Sequence, residues 1–231
     1  MPVEATNHAY CAEALCNFAS FADLVSNILF KPITEPQIEG LASLDWASIA
    51  KINEELAFAS NDIARYLAKR NSGTRQELAV DYTSSFGGMA TWEGKYAVPC
   101  ESVFTSEEGL LYQESYHDVY SLYRANGIAR NEGFDYPDDH LGLMFEFLKI
   151  MATGTAEDIK KGAPEEALLK LELCRSFIED HILNWFDDLT EIAANIVTTR
   201  FYRGVLHLSR GLALYGHELF SDCIAEITAE E

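Results

Sequence analysis

Positive charge is scarce in this sequence: 17 lysines and arginines stand against 37 aspartates and glutamates, for a formal charge of −20. Such a surface repels a phosphate backbone, which excludes general nucleic-acid binding and leaves a basic peptide as the kind of partner its field attracts. Cysteine is sparse too. Cys11, Cys16, Cys100, Cys174 and Cys223 are odd in number and scattered, with no CxxC pair and no Cys/His cluster at zinc-finger spacing. They read as reduced thiols of a cytosolic protein. No apolar run is long enough to cross a bilayer, since the stretch after "MPVEATNHAY" is interrupted by Glu13 and Asp23. That opening also lacks the basic region of a signal peptide. The expectation is a cytoplasmic protein without stable membrane insertion.

What is present is helical periodicity. With 231 residues, 48% hydrophobic and 23% charged, the chain is long enough for a sizeable core and has an ordinary globular composition. Ala14, Leu15, Phe18, Phe21, Leu24, Val25 and Ile28 recur at spacings of three and four, as on one buried helix face. Thr34 with Pro36 reads as the N-cap and first turn of a second helix. A long helix is expected over about 45–70, ended by "NSG" with Gly73 in a left-handed cap, and another over 74–86 before Gly87 and Gly88. Residues 89–109, holding Trp92, Tyr96, Pro99 and Phe104, read as an ordered aromatic loop. Helix resumes near Glu114 and stops at Asn126–Gly127; further helices are expected at about 138–152, 164–180, 187–198 and 200–220. In the last, Phe201, Val205, Leu208, Leu212 and Tyr215 form one stripe. No segment reads as a strand ladder, so the fold class is all-α. We divide it into an N-terminal sub-bundle (1–126), a hinge loop (127–137) and a C-terminal sub-bundle (138–231), one compact domain in all.

The stretch "DYPDDHLGLMFEFL" places Asp138, Asp139 and His140 before an apolar run. Tyr136 precedes a proline and is pushed away from helical geometry, so the helix should start at Pro137 or just after. Asp138 and Asp139 then occupy a first turn, where carboxylates meet exposed amides and the positive dipole end. A metal site is disfavoured, because adjacent helical residues diverge by about 100° and none of the six histidines has a partner at i+4. Acid–base catalysis by His140 and Asp139 lacks a second catalytic element: "FGGMA" has two glycines but not the Lys and Ser/Thr of a phosphate loop.

Several segments together resemble the TorD/DmsD/NarJ family of cytoplasmic redox-enzyme maturation chaperones. "YPDDHLGLMFEFL" supplies Pro137, Asp139 and His140 in the pattern of that family's hinge motif, with Tyr136 where relatives often carry Glu. "VPCESVFTSEEGLLYQE", "FIEDHILNWFDDL" and "TTRFYRGVLHLSRGL" are similar to its other blocks, His181, Trp185, Phe201, Tyr202 and Arg203 included. The resemblance implies a TorD-like helical bundle with a hinge loop and a chaperone with no catalytic residue, metal or cofactor of its own. Its partner is then a molybdoenzyme catalytic subunit and that subunit's twin-arginine leader. The peptide-binding residues it suggests are Trp92, Glu101, Phe104, Tyr136, Pro137, Asp138, Asp139 and His140. The alternative within the family is a NarJ-type assembly chaperone for a non-exported subunit; outside it, a small helical enzyme using His140 and Asp139. A monomer is expected, with domain-swapped dimers open to it through the glycine-containing hinge.

Overall fold

Periodicity places the helices, and capping residues then decide where each one stops. The computed structural model describes residues 3–131 and 133–229, so that Glu132 of the expected hinge lies outside the described residues. The helices are α1 (Val3–Phe30), α2 (Glu35–Ala42), α3 (Trp46–Ile49), α4 (Glu54–Leu67), α5 (Thr74–Ser84), α6 (Glu101–Thr105), α7 (Glu114–Ala125), α8 (Leu141–Lys161) and α9 (Pro164–Ile178). A π-helical turn (Glu179–Leu183), α10 (Asn184–Ile196) and α11 (Arg200–Thr228) complete the chain. Among the described residues, extended pairing amounts to two isolated bridges, Trp92–Lys95 and Cys100–His140. The fold is all-α, as the periodicity implied.

The caps explain where the expectation held and where it failed. At α2, Thr34 stands at the N-cap, its N–H donating to Gln37 Oε1 at 2.8 Å, with Pro36 in the first turn. The single long helix expected over 45–70 is instead broken. Asn53 takes an extended conformation, accepts the Leu56 N–H at 2.9 Å and starts α4 afresh, with Glu54 and Glu55 in its first turn. That signal was present in "NEE"; the apolar rhythm running through it concealed the break. Gly73 is not left-handed either. It sits at the start of α5 with φ −90°, and the left-handed cap falls to Gly162, φ 73°, after α8.

The core forms where long helices cross. α8 lies along α1 and against α9, while α11 is covered by α4, α9 and α1. The predicted stripes point inward: Leu15, Phe18, Val25, Leu141, Met144, Phe145, Leu148, Phe201, Val205, Leu208 and Leu212 are all fully buried. From α5, buried Asp81 reaches the start of α11, accepting the N–H groups of Thr198 and Thr199 at 2.9 and 2.8 Å.

The α4–α11 crossing depends on a missing side chain. A Cβ at Gly211 would stand 2.7 Å from Leu56 Cγ and 2.9 Å from Leu56 N, and Asn53 Nδ2 donates to Gly211 O at 2.9 Å. Elsewhere in a helix, Gly→Ala gains about 1 kcal/mol in propensity. Here the start of α4 has to move, so Gly211→Ala is expected to destabilise by about 1–3 kcal/mol net. Urea unfolding measures it, and an unchanged or raised midpoint would show that α4 yields without cost.

Candidate functional site

Two loops meet where α6 and α8 begin. The Leu141 N–H donates to Pro99 O at 2.8 Å and the Glu101 N–H to Asp139 O at 3.1 Å, pairing 99–101 with 139–141. A turn closes over Pro137, whose carbonyl accepts the His140 N–H at 3.0 Å. These bonds take the backbone of 137–140 out of the helix, which overturns the expectation that Asp138 and Asp139 lie in its first turn. α8 starts at Leu141, and its N-cap is His140, whose Nδ1 accepts the Gly142 N–H at 3.0 Å.

Asp139 does cap a helix, but a different one. α6 has no side-chain cap of its own at Cys100, and Asp139 Oδ2 accepts the Ser102 N–H at 2.8 Å from across the interface. Asp138 turns the other way, to Arg130 Nε at 3.2 Å. Arg130 also donates to the carbonyl of Tyr136, and the Tyr136 hydroxyl donates to the carbonyl of Phe30, so the loop is fastened to the end of α1. The ring of His140 stacks on Phe30 at 5.4 Å and 17°.

At the first residue of the same short helix, Glu101 meets His181 Nδ1 at 3.1 Å and accepts from Asn184 Nδ2 at 3.3 Å. The π-helical turn carries His181, and π turns recur at functional sites because they re-aim side chains without ending the helix. Glu101, Asp138, Asp139 and His140 are all at most 3% exposed. Burial pushes the carboxyls of Glu101 and Asp139 up, against the donors that hold them. Burial likewise pushes His140 down to about 3, so it is neutral at physiological pH. For His181, burial disfavours the cation, yet the hydrogen bond to Glu101 and the charges of Glu101, Asp180 and Asp118 outweigh it and raise its pKa.

Close to these groups, Asp138 Oδ2, Asp139 Oδ1, Ser102 Oγ and Tyr123 Oη are buried without a hydrogen-bond partner. The proximity shows in the Tyr123 hydroxyl, which burial and the charges of Asp138, Asp139 and Glu101 hold strongly in its neutral form. Such atoms raise the free energy of the folded arrangement. Among the described residues there is no group of three or more His, Cys, Asp or Glu side chains placed to hold a metal ion.

The outer face of α6 is different in kind. Phe104 stacks on buried Trp185 at 5.3 Å and 15°, and Trp185 Nε1 donates to His181 O at 2.6 Å. Phe104 lines a groove of about 380 Å³ with Tyr96, Leu110, Glu107, Glu108 and Asp188. Tyr96 and Leu110 are exposed. The structure thus gathers Glu101, Pro137, Asp138, Asp139 and His140 into a buried knot behind α6, with Phe104 on the open side. Tyr136 packs against Phe30 at 5.2 Å beside a separate cleft, and partly buried Trp92 is not among the groove's lining residues. Sequence reasoning missed Ser102, Arg130, Asn184 and the pairing of His181. The available signal for His181 was its place in "FIEDHILNW"; its isolation from other histidines hid the partner, which is a carboxylate 80 positions away.

Because the folded pKa of His181 lies above its unfolded value of about 6.5, the stability it contributes is full below that value and is lost as pH rises through the folded one. Thermal melting should therefore fall across that window in the wild type, and fall less in His181→Asn. Parallel curves would exclude the ion pair.

The model of the nitrate reductase delta subunit family matches residues 49–191. The chain is also similar to proteins named Chaperone protein TorD. That of Vibrio vulnificus (strain CMCP6) is 23% identical over 186 residues, covering 80% of this chain and 85% of that protein. That of Vibrio parahaemolyticus serotype O3:K6 is 28% identical over 190 residues, 79% and 85% of the two chains. That of Photobacterium profundum is 27% identical over 113 residues, 48% and 51%.

Proposed function

The chain belongs to the nitrate reductase delta subunit family and is a redox-enzyme maturation chaperone, its relatives being named chaperones and not enzymes; on that premise we propose that it binds the twin-arginine leader of a molybdenum-cofactor oxidoreductase subunit in the cytoplasm. By holding the leader it assists that subunit's folding, cofactor loading and export. The observation that carries this reading is the groove beside α6, whose lining joins Tyr96, Val103, Phe104, Leu110 and Ile192 to three carboxylates, Glu107, Glu108 and Asp188, against one lysine, Lys95. A leader of two arginines followed by an apolar stretch matches both parts. Carboxylates take guanidinium groups in paired hydrogen bonds, and Phe104, Leu110 and Tyr96 cover apolar side chains. The −20 charge steers such a peptide inward, and salt screens that attraction.

In this reading Phe104 touches the peptide, while Glu101, Asp138, Asp139 and His140 act from behind by fixing α6. Tyr136 and Pro137 hold the hinge shut, and Trp92 shapes the loop that precedes α6. Titration calorimetry with a synthetic leader tests it. Phe104→Ala should weaken binding by about 1–3 kcal/mol with little change in salt dependence, because apolar burial is what is lost. The triple change Glu107→Gln, Glu108→Gln, Asp188→Asn should weaken it and flatten the salt dependence. Wild-type affinity in both variants, with melting points intact, would remove the groove from consideration. A second reading is an assembly chaperone for a non-exported catalytic subunit, such as that of the nitrate reductase after which the family is named. Capture of the client body without its leader distinguishes the two.

A further inference from the structure

A cavity of about 480 Å³ opens beside α1 and α11, and its wall includes Tyr10, Cys11, Tyr215, Glu218, Asp222 and Cys223. Cys11 and Cys223 come from opposite ends of the chain, yet they line one cavity, and Cys11 is the neighbour that most strongly holds the Cys223 thiol protonated. None of the five cysteines is bridged. Cys11 and Cys223 are 5% and 1% exposed, so the cavity whose wall they share is the way in to both thiols. Cys11 is the ninth residue of α1 and Cys223 the sixth from the end of α11, so a reagent reaches them through the cavity and not by fraying of the helix ends.

We propose that Cys11 and Cys223 form a redox pair that closes reversibly into an intrachain disulfide and fastens the first helix to the last. Closure needs an oxidant, and a neutral low-molecular-weight disulfide supplies the balance. One cysteine thiolate attacks the reagent's S–S bond, releasing one reagent thiol and leaving a mixed disulfide. The second cysteine then displaces the other reagent thiol. Two cysteine protons and two electrons have passed to the reagent, and a dithiol reductant reverses both steps. Neutrality matters because Glu218, Asp222 and Glu226 line the same cavity and repel an anionic oxidant such as glutathione disulfide. The neighbouring Cys11, burial, and the charges of Asp222 and Glu226 hold the Cys223 thiol protonated, so exchange is slow at neutral pH and accelerates as pH rises.

The consequence is mechanical. α1 also lies along α8, the helix that follows the buried Asp138–His140 knot, so a bond between α1 and α11 ties the two halves of the chain together. This inference is independent of what the groove beside α6 binds.

The test is to treat the folded chain with hydroxyethyl disulfide at mildly alkaline pH and map its peptides without reduction. A Cys11–Cys223 linked peptide is expected, together with a melting temperature raised on the order of 10 °C, because the bond closes nearly the whole chain into one loop. Dithiothreitol should reverse both. Cys11→Ser and Cys223→Ser should each abolish the shift. Cys16→Ser should keep it, although Cys16 is the more accessible thiol, with Lys160 Nζ 3.7 Å from its sulfur. Glutathione disulfide should react more slowly at low salt, with the gap closing as salt is added. If wild-type protein yields only a Cys16 adduct while Cys11 and Cys223 stay alkylatable, the pair is not redox-active. The wild-type map decides this even if a serine variant fails to fold.

Discussion

Asp81→Ala is expected to lower the unfolding free energy by about 3–5 kcal/mol, a large loss for one exposed-looking acid in a polar stretch of sequence. Asp81 is 2% exposed and accepts three hydrogen bonds at the start of α11: Thr198 N–H at 2.9 Å, Thr199 N–H at 2.8 Å and the Thr199 hydroxyl at 2.5 Å. Thr199 is the N-cap of that helix, accepting the Tyr202 N–H at 3.3 Å. One carboxylate therefore aims the cap of the longest helix among the described residues, and does so where its charge also meets the positive dipole end. Alanine leaves buried donors without acceptors and frees the capping threonine to turn away. Asp81→Asn should recover only part of the loss, since its amide must present N–H to one of the two backbone donors. Urea unfolding with a check on the m-value measures both. A loss below about 1 kcal/mol for alanine would mean that water replaces the carboxylate freely, contrary to its burial.

The second large effect is on acid stability, and it belongs to His140. Burial holds this imidazole neutral down to about 3, whereas the unfolded chain binds its proton near 6.5. The sign is that of a depressed pKa: the unfolded state binds more protons between those values, so His140 makes stability fall as pH is lowered from 6.5 towards 3. At about 1.4 kcal/mol per unit, the contribution is on the order of 3–5 kcal/mol. Glu101 and Asp139 oppose it, because their raised carboxyl pKa values mean that the folded state binds the extra proton. The comparison that isolates the histidine is His140→Asn. Asparagine is a good N-cap and can accept the Gly142 N–H as Nδ1 does, but it does not titrate. The variant is expected to start less stable at neutral pH, through lost stacking on Phe30, and to lose less stability on acidification. Equal slopes in the two proteins would mean that the ring is hydrated and titrates as an exposed histidine does.

Much of the fold was legible in the sequence because its signals are local. Leu15, Phe18 and Val25, and again Phe201, Val205 and Leu208, repeat at helical spacing, and a stripe that regular has to be buried whatever covers it. Thr34 with Pro36 announced a helix start that the structure has, and Asn126–Gly127 a helix end. Asn53 shows how a local signal is lost when a stronger periodic one runs across it.

The sequence by itself determined an all-α chain, an acidic balance of charge, and the residue types that gather around α6. Only the tertiary structure decided what those residues do. Asp139 resembled a cap for the helix that follows it, and the pairing of 99–101 with 139–141 made it the cap of α6 instead. His181 looked isolated until the π-helical turn brought it to Glu101, and Cys11 and Cys223 line one cavity only because α1 and α11 pack together. The physical reason is the range of the interactions. Helix periodicity and capping are written within a few residues, whereas desolvation, and the partner that a buried carboxylate, imidazole or thiol meets, come from segments far away in the chain.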